Sequence, residues 1–148
     1  MIGQALPVAL ALARRFEGLF LSPYLCPAGV PTIGYGSTYY EDGAAVQLTD
    51  APITRERAED LLRLQVERVY LPQVISLCPQ INSPERLAAI IDWTYNLGAG
   101  NLKASSMRRA INRGDWDDAR VELQKWTRGG GRVLPGLVSR RAAEAALL

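Results

Sequence analysis

Between Ser22 and Asp50 the chain carries Pro23, Pro27, Gly29, Pro31, Gly34, Gly36 and Gly43. Prolines remove backbone donors and glycines raise the entropy cost of a helix, so this density of breakers rules helix out. Tyr24, Thr32 to Tyr35 and Val46 to Leu48 lie among the breakers, and short antiparallel strands joined by turns are predicted around them. Helical patterns flank the stretch on both sides. Helix, small antiparallel β-lobe, then a larger all-helical lobe is the order of an α+β protein. A cleft between the lobes is the expected site.

The flanks fill in the rest. Residues 5–18 predict a buried first helix with Pro7 in its first turn and Glu17 at its C-terminal end. Its apolar stretch is too short to span a bilayer. No Lys or Arg precedes it, which argues against a secretory signal. The β-lobe covers about 19–53. Thr54 then caps a connecting helix to about residue 70, with Ala58, Leu61, Leu62, Val66 and Val69 at helical spacing. Pro72, Pro79 and Asn82 punctuate the chain. Ser83-Pro84-Glu85 starts a central helix that runs to Gly98 and carries Leu87, Ile90, Ile91, Thr94 and Tyr95 on a wide apolar face. Ser105 or Ser106 opens a short helix that stops near Gly114, and Asp115 opens another to about Trp126. Gly129 to Gly131 break the chain before a last helix, Leu137 to Leu147, started by Pro135-Gly136. No repeat or long linker interrupts this order. Residues 1–148 read as a single domain whose helical lobe spans about 71–148.

Composition narrows the chemistry. The chain has 148 residues, 48% apolar and 22% charged, as a soluble globular domain has. Histidine is absent, which excludes Ser-His and Cys-His hydrolases and the usual zinc sites. Cys26 and Cys78 are too few for a disulfide scaffold. No metal and no cofactor is expected. Acid/base work falls to carboxylate, thiol, hydroxyl or lysine. Residues 101–148 carry 10 Lys and Arg against 5 Asp and Glu, net +5, while residues 1–100 carry 7 against 10, net −3. Such a basic half suits a polyanion or is simply a set of solvated helix faces.

Glu17 lies among Phe16, Leu19 and Phe20 at a helix C-terminus. Desolvation and the helix dipole both disfavour a carboxylate there, so a proton donor near neutral pH is expected. The plainer reading is a solvated helix-end acid. Eight residues separate Glu17 from Cys26, and five separate Cys26 from Thr32. This spacing resembles the Glu-x8-(Asp or Cys)-x5-Thr signature of phage-type lysozymes, glycoside hydrolase family 24. Thr32-Ile33-Gly34-Tyr35-Gly36 is similar to that family's Thr-x-Gly-x-Gly segment. Trp93 to Gly98, Trp126 to Gly131, Leu134 to Leu137 and Arg140-Arg141 with Glu144 match further segments in the same order.

The resemblance implies a lysozyme-like fold and a muramidase, cutting the β-1,4 bond between N-acetylmuramic acid and N-acetylglucosamine. Glu17 would be the general acid, with Cys26 and Thr32 assisting attack by water at the anomeric carbon, with inversion. Cys26 stands where the family often has Asp. A free thiol is mostly neutral at pH 7, so a base role requires a lowered pKa, and a nearby Arg is the expected cause. Tyr35, Tyr95, Asn96 and Ser106 are the expected sugar contacts, with core placement equally open for Tyr95. Trp93, Trp116 and Trp126 read as core. Arg128, Arg140 and Arg141 read as contacts to peptide stems or as surface, and Cys78 as a buried thiol, with a Cys26–Cys78 switch disulfide the remote alternative. The expected partner is the glycan strand of peptidoglycan, met by a monomer that binds no nucleic acid and does not insert stably in membrane. The same resemblance implies a phage or prophage endolysin, expected without an export signal to be made in the host cytoplasm and to reach the wall in the periplasm through a holin or as part of a particle. A lytic transglycosylase, or a silent wall-binding or tail-assembly module, are the rival readings.

Overall fold

The computed structural model describes residues 1–148. Its contacts divide the chain into two compact units, one of residues 10–69, the other of residues 1–9 with 70–148. Helix α1 spans Ile2–Phe16. It begins three residues earlier than predicted, because Gln4 and Ala5 already donate to the Met1 carbonyl. Pro7 therefore lies past the first turn and leaves the carbonyl four residues back, on Gly3, without its usual helical donor. Ala5, Ala9 and Ala13 form a small-residue face that is almost fully covered.

In the unit of residues 10–69, β1 (Phe20–Leu25) pairs antiparallel with β2 (Pro31–Gly34). Tyr24 faces Thr32 and Phe20 faces Gly34, so β1 carries two extra residues between those pairs. Pro23 falls inside this bulge, where no ladder donor is needed. Gly34 has φ +69°, and a Cβ there would stand 3.3 Å from the Ala58 Cβ. Helix α2 (Arg55–Gln65) can lie this close to β2 only because of that glycine. Thr54 caps α2 as predicted, accepting from the Arg57 N–H at 3.1 Å. Residues 46–48 are not a strand. Val46 donates to the Thr38 carbonyl, and Asp50 clamps the loop through the Tyr40 hydroxyl and the Gln47 N–H, both at 2.8 Å.

The helical run does not stop at residue 70. A π-helical segment, Val66–Tyr70, leads directly into α3 (Leu71–Leu77). Pro72 cannot bond the Arg68 carbonyl and crowds it, and the wider π spacing relieves that crowding so the helix resumes.

In the unit of residues 1–9 and 70–148, α4 (Pro84–Leu97) starts at the predicted Ser83 cap. Every residue from Leu87 to Thr94 is buried, as in a helix covered on all sides. Helices α3, α5 (Ala99–Ala104) and α8 (Pro135–Ala145) pack on it. Helix α5 was hidden in the sequence by Gly98, whose φ of +91° ends α4 while the next turn starts at once. Helices α6 (Ser106–Asn112) and α7 (Trp116–Leu123) follow, capped by Ser105 and Asp115. Gly130 and Gly131, φ +60° and +81°, make the two-residue turn of a hairpin between β3 (Arg128–Gly129) and β4 (Arg132–Val133), where only a break was predicted. Of the three tryptophans, only Trp93 is fully buried. Trp126 packs edge-on against it at 5.1 Å, and half-buried Trp116 is roofed by the Arg86 guanidinium at 4.1 Å.

Candidate active site

Glu17 is the residue immediately after α1, half-buried, with its N–H still bonded to the Ala13 carbonyl at 2.8 Å. The helix therefore fixes where the carboxyl begins. Tyr24 lies within electrostatic reach of both Glu17 and Cys26. Burial first, then these two groups, raise the Tyr24 phenol above its ordinary value. Its ring packs on Phe20 at 4.4 Å. The signature spacing did not single out Tyr24.

Cys26 follows β1 directly and is half-exposed. Its N–H bonds the Val30 carbonyl at 3.1 Å, and Gly29, with φ +76°, donates to the Cys26 carbonyl at 2.8 Å. This tight turn brings backbone donors to the sulfur. A backbone hydrogen bond from Val30 chiefly, with others from Ala28 and Cys26 itself and one from the Thr32 hydroxyl, holds the thiol below its ordinary pKa against a smaller opposing effect of burial. The lowering expected from an arginine thus comes from backbone amides. Thr32 is buried, 3% exposed, and its hydroxyl donates to the Val30 carbonyl at 2.9 Å. Glu17, Cys26 and Thr32 all belong to the unit of residues 10–69.

Tyr35, in the same unit, is 5% exposed and presents almost no ring face to a sugar. Tyr95, Asn96 and Ser106 lie in the other unit. Tyr95 is half-buried and meets the Tyr70 ring edge-on at 5.1 Å. Asn96 accepts from Arg141 at 2.8 Å. Ser106 is exposed and accepts from Arg109 at 2.8 Å, while Ser105 is the cap of α6.

Arg140 and Arg141 are neither surface residues nor open to a peptide stem. They are 3% and 1% exposed and answer two buried acids. Arg140 makes a bidentate pair with Asp92 at 2.8 and 2.9 Å, and Arg141 pairs with Glu144 at 2.8 Å. Burial first, then a hydrogen bond shared with Asp92, pushes the Glu144 carboxyl well above the usual carboxylate range. Asp92 in the middle of an apolar helical run was the sequence signal for a buried counter-ion, since an isolated buried charge is prohibitive. Cys78 is 1% exposed and burial pushes its thiol up to about 11, and both cysteines are free thiols.

The phage lysozyme family model matches residues 14–144. The chain is 36% identical over 145 residues to an endolysin of Acyrthosiphon pisum secondary endosymbiont phage 1, covering 93% of this chain and 92% of that protein. It is 33% identical over 129 residues to a SAR-endolysin of bacteriophage PS119, covering 86% of this chain and 73% of that one. It spans about half of the Bacillus phage PZA endolysin, which it matches at 36% identity over 92% of its own length and 51% of the relative's. Among solved structures, the endolysin of Escherichia coli O157:H7 phage FAHEc1 superposes with a TM-score of 0.82 at 30% identity, over 95% of this chain and 89% of that one. With this match in sequence and in α+β fold, the chain belongs to the phage lysozyme family and is an endolysin-type glycoside hydrolase with lysozyme activity.

Proposed function

We propose that this lysozyme hydrolyses the β-1,4 bond between N-acetylmuramic acid and N-acetylglucosamine with Glu17 as general acid and Cys26 as the base that activates water. The observation that carries this is the clustering of Glu17, Tyr24, Cys26 and Thr32 about one hairpin, with the Cys26 thiol held low by backbone donors. The Glu17 carboxyl gives its proton to the leaving oxygen as the glycosidic bond breaks. The Cys26 thiolate takes a proton from water, whose oxygen bonds the anomeric carbon. Thr32 steadies the thiolate in this scheme, with Tyr24 within electrostatic reach of both groups. Tyr95, Asn96 and Ser106 are proposed sugar contacts, and Tyr35 is not among them.

Water attack opposite the leaving group yields the α-anomer, and proton NMR of early products on purified peptidoglycan tests this. An initial β-anomer overturns inversion. A 1,6-anhydro sugar makes the protein a transglycosylase, and intact glycan makes it a silent wall-binding or tail-assembly module. A monomer made in the host cytoplasm and acting on the wall in the periplasm, with glycan strands as its partner and no nucleic acid, completes the proposal. No helix is long and apolar enough to cross a membrane. Holin-dependent release is the proposed route, and lysis by the expressed chain without a holin overturns it in favour of the route that the SAR-endolysin relatives' name suggests.

A further inference from the structure

The loop of residues 39–41 and the helix α2 with its π-helical extension enclose a cavity of about 240 Å³, and every residue lining it belongs to the unit of residues 10–69. Leu61, Leu64 and Arg68 follow one another at three and four residues, so one helix face makes one side of it. Tyr39 and Tyr40 come from the loop. The loop is held in shape, since the Tyr40 N–H donates to the Ala44 carbonyl at 2.9 Å and its hydroxyl to Asp50 at 2.8 Å. Sites for drug-sized ligands run to ~300–1,000 Å³, so a cavity of this size takes one short side group and not a run of sugar rings. Two charged residues line it. Glu41 is already answered by Arg57, through two hydrogen bonds of 3.0 and 3.2 Å. Arg68 is exposed and makes no hydrogen bond or ion pair within the chain. An apolar and aromatic cavity with one unanswered cation is the result. Gln65 also lines it and accepts from the Ser37 hydroxyl at 3.4 Å. Ser37 in turn exchanges backbone hydrogen bonds with Ile33, the neighbour of Thr32, so the cavity adjoins the hairpin of the candidate site.

We propose that this cavity takes the peptide stem of peptidoglycan, an aliphatic chain bearing a carboxylate, with Arg68 on the carboxylate and Tyr39, Leu64 and Val69 against the chain. The identity of the ligand rests on the muramidase reading above. The N-acetylated sugars of the glycan carry no charge of their own, and the lactyl carboxyl of muramic acid is consumed in the amide to the stem. The anionic groups of the substrate therefore sit on the stems, where a γ-linked D-glutamate keeps its α-carboxylate free. A guanidinium matches such a group with two parallel donors. Arg140 and Arg141 cannot serve this purpose because both are buried, whereas Arg68 is open. Arg68 meets the stem and no reacting atom, so it sets substrate preference and leaves the chemistry to the hairpin.

Rates on glycan strands that keep their stems are compared with rates on strands stripped of stems by an amidase. Wild type cuts the stem-bearing strands faster. Arg68→Glu loses about 3- to 10-fold of that preference, the worth of one hydrogen bond, with its rate on stripped strands unchanged. Arg68→Lys keeps most of the preference. Added salt reduces it in the wild type, because the pair is exposed. An unchanged preference in Arg68→Glu, including a loss that falls on both substrates alike, overturns the inference. Nitrogen-15 NMR of the wild-type chain needs no variant to fold. The backbone signals of Tyr39, Arg68 and Val69 shift with the tripeptide L-alanyl-γ-D-glutamyl-diaminopimelate and not with the same peptide amidated at its carboxyl groups. Equal shifts with both peptides overturn the role of Arg68. Cleavage of glycan with these signals unmoved overturns this inference alone. Shifted signals without cleavage overturn the hydrolase mechanism and leave the stem site standing.

Discussion

The hairpin that carries Cys26 and the contact of α8 with α4 both hold ionisable groups, and they hold them in opposite ways. At the hairpin, fixed N–H dipoles and one hydroxyl lower the pKa of a thiol that stays half-open to solvent. At the α4–α8 contact, Asp92, Arg140, Arg141 and Glu144 answer one another and are closed off. A counter-ion in a buried pair satisfies its partner and leaves little to react, while a dipole favours the charge and leaves it available. The first arrangement suits chemistry and the second suits structure.

The sharpest way to break this contrast is at Glu17. Glu17→Gln should cut lysis by ~10²–10⁴-fold, the worth of a general acid, with the melting temperature nearly unchanged. Lysis at the wild-type rate would remove Glu17 from the mechanism. Asp92→Ala should do the reverse, leaving Arg140 buried without its bidentate partner. A loss of about 3–5 kcal/mol in denaturant unfolding is expected. Residual activity should track only the folded fraction, and a variant of unchanged stability would show that the cluster is not structural.

Cys26 sharpens the contrast through pH. As a base it must be ionised, so activity should rise as pH climbs through its pKa, which lies below the ordinary thiol value. In Cys26→Asp that rising limb should move well to the acid side, toward the ordinary Asp value of about 3.9. Limbs that coincide in the two proteins would rule Cys26 out as the base. The smallest effect belongs to Cys78→Ser. Placing a hydroxyl in that buried site should cost about 1–3 kcal/mol without changing activity per folded molecule. A change in the pH profile of this variant would tie Cys78 to the site after all.

Sequence reading reached whatever depends on neighbours along the chain. Thr54, Ser83 and Asp115 announced their helices because a cap bonds donors two or three residues on. Glu17, Cys26 and Thr32 were picked out as candidates by their spacing. The donors that lower Cys26 were not, because backbone N–H groups are present at nearly every residue and only the turn at 26–30 aims them. Arg140 was misread because its partner Asp92 lies 48 residues away, and Arg141 because its spacing from Glu144 does not reveal that both are buried. Pro72 was read as a stop because a local rule cannot see the helix widening to accommodate it.

Cys26 also sets how this lysozyme ages. A half-exposed thiol with a lowered pKa ionises more readily, and the thiolate is the form that peroxide attacks, giving first a sulfenic acid and then irreversible oxidation states. Cys78, buried and far harder to ionise, is spared. If Cys26 is the base proposed above, oxidation of that one sulfur atom ends the working life of the molecule, a chemical clock that an aspartate at the same place would not carry.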